Sequence, residues 1–105
     1  MAKTVLRFNL KPGSTLAHRY KVVGKLGGGY EGEVYQVRER GTGIARTAKI
    51  WYPVRNVRGV ASRRYATKLH KLRHCPILIQ YSHIDRAVIN GISVRMLVSD
   101  YVEGE

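Results

Sequence analysis

The chain of 105 residues is long enough for one small domain that buries roughly 65% of its unfolded surface, and too short for two cores. Its 19 lysines and arginines against 7 acidic residues give a formal net charge of +12, which favours a polyanionic partner such as a nucleotide, a nucleic acid, acidic lipid or an acidic protein. One cysteine excludes an internal disulfide, and no apolar run approaches the ~20 residues of a membrane helix. Because an apolar signal core is also missing, we expect a cytoplasmic protein with no membrane partner.

The first half of the chain has the alternating pattern of β-strands. We predict strands at 16–26, 33–38 and 44–52, and the alternation at 5–10 is compatible with a short extra strand. Turns are expected where glycine and proline cluster, at 11–14 and 40–43. Pro53 ends the third strand, because proline cannot donate to a β-ladder.

The second half predicts one helix followed by a hairpin. Asn56 is a candidate helix cap. After it, an apolar stripe at helical spacing consists of Val57, Val60, Ala61, Tyr65, Leu69 and Leu72. The opposite face is basic, and Cys75-Pro76 ends the helix because the residue before proline avoids helical backbone. Two strands, at 77–89 and 92–100, are joined by the strong hairpin signal Asn90-Gly91.

Together these elements predict a single α+β domain over residues 1–105, with residues 1–15 as an N-terminal extension. The expected architecture is a five-stranded antiparallel sheet with one principal helix between strands 3 and 4. No metal site is predicted, because Cys75, His70 and His74 do not complete a set of zinc ligands.

The stretch between the first two strands is glycine-rich. Gly27, Gly29, Gly32 and Val34 form the pattern G-x-G-x-x-G-x-V. Glycine lacks a Cβ and tolerates positive φ, so this backbone can turn tightly and bring its N–H groups against an anion. A dinucleotide-binding fingerprint fits poorly, because it needs a helix after the glycines and this sequence continues into a strand. For the glycines alone, the alternative is an ordinary hairpin turn.

Three further markers extend the match. Lys49 lies on the third strand, and a glycine loop followed by a strand lysine is the arrangement of a protein kinase small lobe. Residues 69–77, LHKLRHCPI, are similar to the family's L-x-x-L-x-H-P-x-I run, and residues 96–104 are similar to the strand and hinge that end the lobe. With four markers in order, residues 16–105 resemble the N-terminal lobe of a eukaryotic-type Ser/Thr protein kinase of the kind also found in bacteria. The hinge would start at 100–105.

The resemblance implies an ATP site. Gly27, Gly29 and Gly32 would cover the triphosphate, and Lys49 would pair with the α- and β-phosphates. The remaining contacts, to adenine, would come from Leu26 and Val34 above the base, Thr47 in place of the usual alanine, Ser99 as a gatekeeper that leaves a roomy back pocket, and the backbone of Asp100 and Val102. Taken without the resemblance, Leu26 and Val34 fit a sheet core equally well, and Lys49 would be a solvated strand lysine.

The sequence departs from the family in its helix. In an active kinase the phosphate lysine pairs with a helix glutamate, and the match places Tyr65, or Ala66 in the next register, at that position. No Asp or Glu occurs between Glu39 and Asp85, so the helix has no carboxylate in any register. We expect Lys49 to have a different partner, or a displaced helix in an inactive lobe or pseudokinase.

The sequence also ends inside the expected hinge. The family's catalytic aspartate and its magnesium ligands lie in the large lobe, so no catalytic residue is assigned in this chain, and Mg²⁺ would accompany ATP only with a C-terminal lobe. We interpret the sequence as a fragment. Its exposed cleft floor would be covered by that lobe, by a partner protein or by self-association.

Three functions compete. The first is the ATP-holding lobe of a Ser/Thr protein kinase, and the second is a regulatory pseudokinase lobe that acts as a binding module. The third is a basic nucleic-acid-binding module, since residues 55–74 are acid-free and strongly basic. Because no aromatic array for base stacking accompanies those charges, we interpret them as a solvated helix face and expect no nucleic-acid partner.

Overall fold

An antiparallel sheet flanked by one α-helix makes up the fold. The computed structural model describes residues 7–56, 59–72 and 82–101. Within them the sheet has six strands in the order β1-β2-β3-β4-β6-β5, and the helix packs against β5 and β6. The bounds are β1 Thr15–Leu16, β2 Tyr20–Gly28, β3 Gly32–Glu39, β4 Ala45–Trp51, a 3-10 helix Pro53–Arg55, α1 Val60–Leu72, β5 Ser82–Ile89 and β6 Ile92–Asp100.

The prediction of five strands is wrong by one. The expected first strand is broken by a tight turn, because Ala17 and His18 have φ of 52° and 58°. The chain reverses there, so that Thr15 and Leu16 form a separate strand paired with Lys21 and Tyr20. Residues 7–10 are not in a strand, and the rest of the expected extra strand lies outside the described residues.

The hairpin between the last two strands is confirmed. Asn90 and Gly91 have φ of 52° and 79°, as a tight two-residue turn requires, and Ile89 pairs with Ile92. Strand β5 begins at Ser82. The earlier part of the predicted strand, 77–81, and the predicted helix end at Cys75-Pro76 lie outside the described residues.

The two faces of the sheet have different roles. One face carries the core, which includes Tyr35, Val37, Ala48, Ile50, Met96 and Val98. The sheet curls around this core until β1 contacts β5, and Arg19 lies 3.7 Å from Asp85 across the seam. Because side chains alternate along a strand, Val34, Thr47, Lys49 and Ser99 lie on the opposite face.

The Asn56 side chain bonds the first turn of α1, although the helix begins at Val60 and not directly after Asn56, and Val57 lies outside the described residues. The Asn56 Oδ1 accepts a hydrogen bond from the Ser62 amide at 3.0 Å, and its Nδ2 donates to the Ser62 hydroxyl. These bonds draw Ser62 into the interior, whereas Val60, expected in the apolar stripe, is 44% exposed. The apolar periodicity therefore located the helix but misplaced its buried face at the first turn. Among the described residues, no helix is both long and apolar enough to cross a lipid bilayer.

A buried carboxylate joins the N-terminal segment to the sheet. Glu33 is 1% exposed and accepts hydrogen bonds from the hydroxyls of Tyr35 and Tyr52, at 2.5 and 2.6 Å, and from the Phe8 amide at 3.1 Å. The Leu10 amide donates to the Tyr35 hydroxyl, so the segment is held at two points. A buried carboxylate without such donors would be costly, and here each donor offsets part of that cost.

The same contacts set the pKa values of the cluster. Burial raises the pKa of the Glu33 carboxyl, but the hydrogen bonds from Tyr35, Tyr52 and Phe8 together lower it by more than burial raises it. The pKa of Glu33 therefore lies below its usual 4.5. Burial and the neighbouring Glu33 carboxylate raise the pKa of Tyr35 and of Tyr52 to about 12. Glu33 is therefore an anion and both tyrosines are neutral donors at neutral pH.

We predict that Glu33→Gln lowers the free energy of unfolding by roughly 2 kcal/mol at neutral pH, because charge-assisted hydrogen bonds are lost. The folded pKa of Glu33 is lowered, so its contribution is complete above the unfolded value and is lost as the pH falls through the folded value. Urea unfolding of both proteins between about pH 7 and about pH 3 should give a stability difference that shrinks in acid. A pH-independent difference would contradict this account.

Candidate nucleotide site

The glycine-rich stretch folds as a hairpin between β2 and β3. Gly27 pairs with Val34, Gly28 pairs with Glu33, and the Gly29 amide donates to the Gly32 carbonyl at 3.0 Å. The chain reverses through Tyr30 and Glu31, whose side chains stand at the tip. The predicted strand-to-strand connection is therefore present.

The glycines of the hairpin serve different purposes. None of them has a positive φ, so the hairpin does not use the left-handed backbone that glycine tolerates. A Cβ on Gly32 would collide with the backbone of Ile50 and Trp51, because β3 crosses β4 closely at that point. A Cβ on Gly27 or Gly29 would meet nothing within 4 Å, so these two keep their surface open for a ligand.

Lys49 lies beneath the hairpin. The β3–β4 register pairs it with Val34, and its Nζ is 3.4 Å from Glu31 Oε1 at the hairpin tip. The Lys49 side chain is 19% exposed and that of Glu31 is 52% exposed, so the pair lies at the mouth of the site. The carboxylate partner that the helix lacks comes instead from the glycine hairpin.

Two aromatic rings, Tyr65 from α1 and Trp51 from β4, contact the Lys49 ammonium. Its Nζ lies 4.2 Å from the ring centroid of Tyr65 and 5.2 Å from that of Trp51. The two rings meet edge to face at 5.6 Å. A cation over an aromatic face is attracted by about 0.5–2 kcal/mol, more when it is desolvated. Tyr65, the residue matched to the kinase helix glutamate, therefore contacts Lys49 through its ring.

Lys49 and the hairpin enclose a hollow of about 340 Å³. Its lining includes Gly29, Gly32 and Val34 together with Lys49, so four of the predicted site residues meet there. Gly28, Tyr30 and Glu31 complete it. The volume falls within the range of roughly 300–1,000 Å³ typical of small-molecule sites.

Among the described residues, the other predicted site residues, Leu26, Gly27, Thr47, Ser99 and Asp100, do not line this hollow. Thr47 pairs directly with Ser99, which is 6% exposed, and Leu26 is 48% exposed. The Asp100 carboxylate accepts a hydrogen bond from Arg46 at 2.8 Å. Val102 lies outside the described residues.

The tip of the hairpin is also tied to the start of the helical region. The Arg55 guanidinium stacks on the Tyr30 ring, with 3.9 Å between its central carbon and the ring centroid. Tyr30 is otherwise 73% exposed. This stacking links the hairpin tip to the 3-10 helix Pro53–Arg55. Within the described residues, no cluster of three or more His, Cys, Asp or Glu side chains is arranged to hold a metal ion.

Several contacts of the site were not predicted from the sequence. Trp51 could have been placed beside Lys49, because residues two apart on a strand share a face. The contact between Glu31 and Lys49 had a weaker sequence signal, namely that Glu31 is an acidic residue among the glycines. The stacking of Arg55 on Tyr30 had no sequence signal, because it depends on how the chain after β4 returns to the hairpin.

With the fold and this geometry established, comparison with solved structures identifies the class. The chain has the fold of the N-terminal lobe of a Ser/Thr protein kinase domain, as the sequence resemblance predicted. The PknI kinase domain of Mycobacterium tuberculosis matches with 29% identity and a TM-score of 0.61, covering 90% of this chain and 37% of that chain. A double mutant of the same domain matches with 29% identity and a TM-score of 0.62, over 90% and 36% of the two chains.

These matches cover a part of the kinase domain. The chain spans about 37% of the length of the PknI kinase-domain chain. No protein-family profile matches the sequence, and no curated protein sequence matches it significantly. The structural comparison therefore supports a kinase-type lobe and leaves its ligand to be argued from the site.

Substitution by alanine should have different effects at the packed Gly32 and at the open Gly29. Gly32→Ala should destabilise the protein by roughly 3 kcal/mol, because its methyl group would displace the β4 backbone. Gly29→Ala should change the free energy of unfolding by less than about 1 kcal/mol, since its Cβ would point into open space. Urea unfolding of both variants checks this, and similar losses in the two would contradict the packing argument.

A double-mutant cycle tests the contact between Lys49 and Tyr65. We expect Lys49→Met and Tyr65→Leu to be coupled by about 0.5–1 kcal/mol in the free energy of unfolding. The same cycle with Tyr65→Phe should give a coupling energy close to zero, because phenylalanine keeps the ring that contacts Lys49. Equal results for leucine and phenylalanine would mean that the ring does not hold the ammonium.

Proposed function

We propose that this chain is the nucleotide-holding lobe of a Ser/Thr protein kinase, with ATP as its ligand. The observation that carries the proposal is the convergence of Lys49 and the glycine hairpin on one hollow. A cation beneath a hairpin whose Gly27 and Gly29 leave open space where a Cβ would be is suited to a row of phosphates. The likeness to the PknI kinase domain supports the same ligand class.

In this proposal each predicted residue has a defined part. Gly27 and Gly29 leave their surface free for close approach of the phosphates, and Lys49 neutralises their charge. Val34 and Leu26 provide apolar surface for the base, with Thr47 and Ser99 beside it on the same sheet face. The backbone of Asp100 and Val102 would read the edge of adenine. ATP supplies the phosphoryl group when it is bound, and the chain's own residues bind and orient it.

Binding requires Lys49 to exchange partners. The Glu31 carboxylate, 3.4 Å from its Nζ, occupies space near the cation that an anionic ligand needs. Because Glu31 is half exposed, its side chain can leave toward solvent at the small cost of a surface ion pair. Tyr65 and Trp51 keep the ammonium in place during the exchange, since an aromatic face does not compete with phosphate for the N–H donors.

Phosphoryl transfer is proposed only together with a C-terminal kinase lobe. The chain spans about 37% of the matched kinase domain, and kinases take their catalytic base and magnesium ligands from the other lobe. That lobe, or a protein that replaces it, is the partner we expect at the open side of the site.

A regulatory, pseudokinase-type lobe is the second candidate. The observation that favours it is the contact between Lys49 and α1. This contact is made by the ring of Tyr65, whereas active kinases have a glutamate at that position. Such a lobe would bind nucleotide or a partner protein without transferring phosphate. The test is Tyr65→Glu, which restores a helix carboxylate, in a chain joined to an active kinase C-terminal lobe. The rate of phosphoryl transfer should rise only if the missing glutamate limits that rate.

The nucleotide proposal is tested by titrating Mg-ATP and ATP alone into the protein and following its melting temperature. We expect a saturable rise that Lys49→Met weakens by roughly tenfold in affinity or more, because the charged contact to phosphate is lost. Lys21→Met, which removes an exposed lysine elsewhere on β2, should keep the rise. Equal effects of the two substitutions would mean that ATP is attracted only by the net charge of +12.

Glu31 gives a second prediction for the same site. Glu31→Gln should tighten ATP binding roughly two- to fivefold, because the competing carboxylate is removed. Glu39→Gln changes the net charge equally but lies at the far end of β3, so it should have little effect. Fluorescence titration with an ATP analogue measures both, and unchanged or weaker binding in Glu31→Gln would contradict the exchange of partners.

A further inference from the structure

A second cavity, of about 370 Å³, lies at the start of α1. Its lining combines Trp51 from the end of β4, Gly59 before the helix, Arg86 from β5, and Ser93 and Arg95 from β6. It contains no acidic side chain, and it does not share a lining residue with the hollow under the glycine hairpin. Its chemistry is therefore distinct from the proposed nucleotide site.

Two arginines of this cavity face each other directly. The β5–β6 register pairs Arg86 with Arg95, so their side chains project from neighbouring positions on one face of the sheet. Like charges in this arrangement repel each other and destabilise a sheet. Neither arginine has an ion pair within the described ranges 7–56, 59–72 and 82–101.

The positive end of a helix meets the same arginine pair. A Cβ on Gly59 would lie 2.7–2.9 Å from three atoms of the Arg95 guanidinium, so this group rests on the backbone at the entry to α1. The backbone N–H groups at a helix start carry a partial positive charge. The first turn of α1 contains no acidic residue that would balance the helix end or the guanidinium.

A buried donor without a partner lies at the same place. Trp51 is 1% exposed, and its indole Nε1 has no hydrogen-bond partner among the described residues. Leaving a buried N–H unsatisfied is unfavourable, because the donor has lost its hydrogen bond to water. The cavity thus joins an unsatisfied donor, two like-charged guanidinium groups and a helix start.

We propose that this cavity is a binding site for a phosphate dianion, either inorganic phosphate or a phosphate monoester. A dianion would balance the charges of Arg86 and Arg95, whose planar guanidinium groups match the spacing of tetrahedral oxyanion oxygens. Its remaining oxygens can accept from the Ser93 hydroxyl. Chloride would offset only one charge and lacks the separate oxygens that a bidentate guanidinium contact uses.

Trp51 makes the proposal directly measurable. It is the only tryptophan in the chain, and it also contacts Tyr65 and the Lys49 ammonium. Because Trp51 lines the cavity, a dianion bound there should change the fluorescence emission of its indole. A bound anion would also hold the Trp51 ring in place, and this ring contacts the Lys49 ammonium.

The test is a fluorescence titration of the 105-residue protein with sodium phosphate, with sodium chloride at matched ionic strength as the reference. We expect a saturable change in Trp51 emission with phosphate that chloride does not produce. Arg95→Met and Arg86→Met should each weaken it at least about tenfold. Arg64→Met removes an exposed arginine of α1 that does not line this cavity, and should leave the change intact.

Two further variants keep the outcome interpretable. Arg95→Lys keeps the charge but loses the guanidinium fork, and should bind phosphate with intermediate affinity if the site is as described. Lys21→Met should retain the phosphate response, because Lys21 is exposed on β2 and does not line this cavity. A response abolished by Lys49→Met but kept in both Arg86→Met and Arg95→Met would overturn the proposal, as would an equal response to chloride.

The source of the phosphate group is distinguished in the same assay. Tighter binding of O-phosphoserine than of inorganic phosphate would assign the site to an esterified phosphate, and the reverse order would assign it to the free ion. Each result supports a phosphate site. Failure of both ligands to change Trp51 emission, or to raise the melting temperature, would refute it, whether or not ATP binds under the hairpin.

Discussion

The alternation of side chains along β4 is the constraint on which the rest of the structure depends. Ala48 and Ile50 face the core, so Thr47, Lys49 and Trp51 must face the opposite side. The register with β3 then places Lys49 opposite Val34, directly below the glycine hairpin. A shift of one residue would bury the ammonium and expose the core, so the hydrophobic effect that fixes β4 also fixes the position of the cation.

The buried Glu33 links that constraint to the N-terminal segment. It follows Gly32 at the start of β3, so its hydrogen bonds from Phe8, Tyr35 and Tyr52 anchor the base of the hairpin to the core. Gly32 packs on the β4 backbone beside it. The hairpin therefore has a buried, hydrogen-bonded base and an exposed tip.

The scarcity of acidic residues accounts for the unusual contacts on the helix side. Because no Asp or Glu lies between Glu39 and Asp85, the cations of this region cannot pair with helix carboxylates. Lys49 is held by the rings of Tyr65 and Trp51 and by the hairpin's Glu31, and Arg55 stacks on Tyr30. Arg86 and Arg95 are left facing each other beside a helix start, where an external anion would compensate them. One compositional bias thus shapes both the proposed nucleotide site and the second cavity.

The sequence alone determined the kinase-type lobe, the strand-to-strand glycine hairpin, the Asn90-Gly91 turn and the role of Asn56 at the start of α1, because each depends on local patterns or on motifs in a fixed order. The absence of a helix carboxylate was also readable there, since it is a matter of composition. Only the tertiary structure decided that Ala17 and His18 break the first strand, that Ser62 rather than Val60 is buried, and that Glu31 and Tyr65 are the partners of Lys49. These features depend on which distant segments meet, and a one-dimensional pattern specifies the face of a strand or helix but not what packs against it.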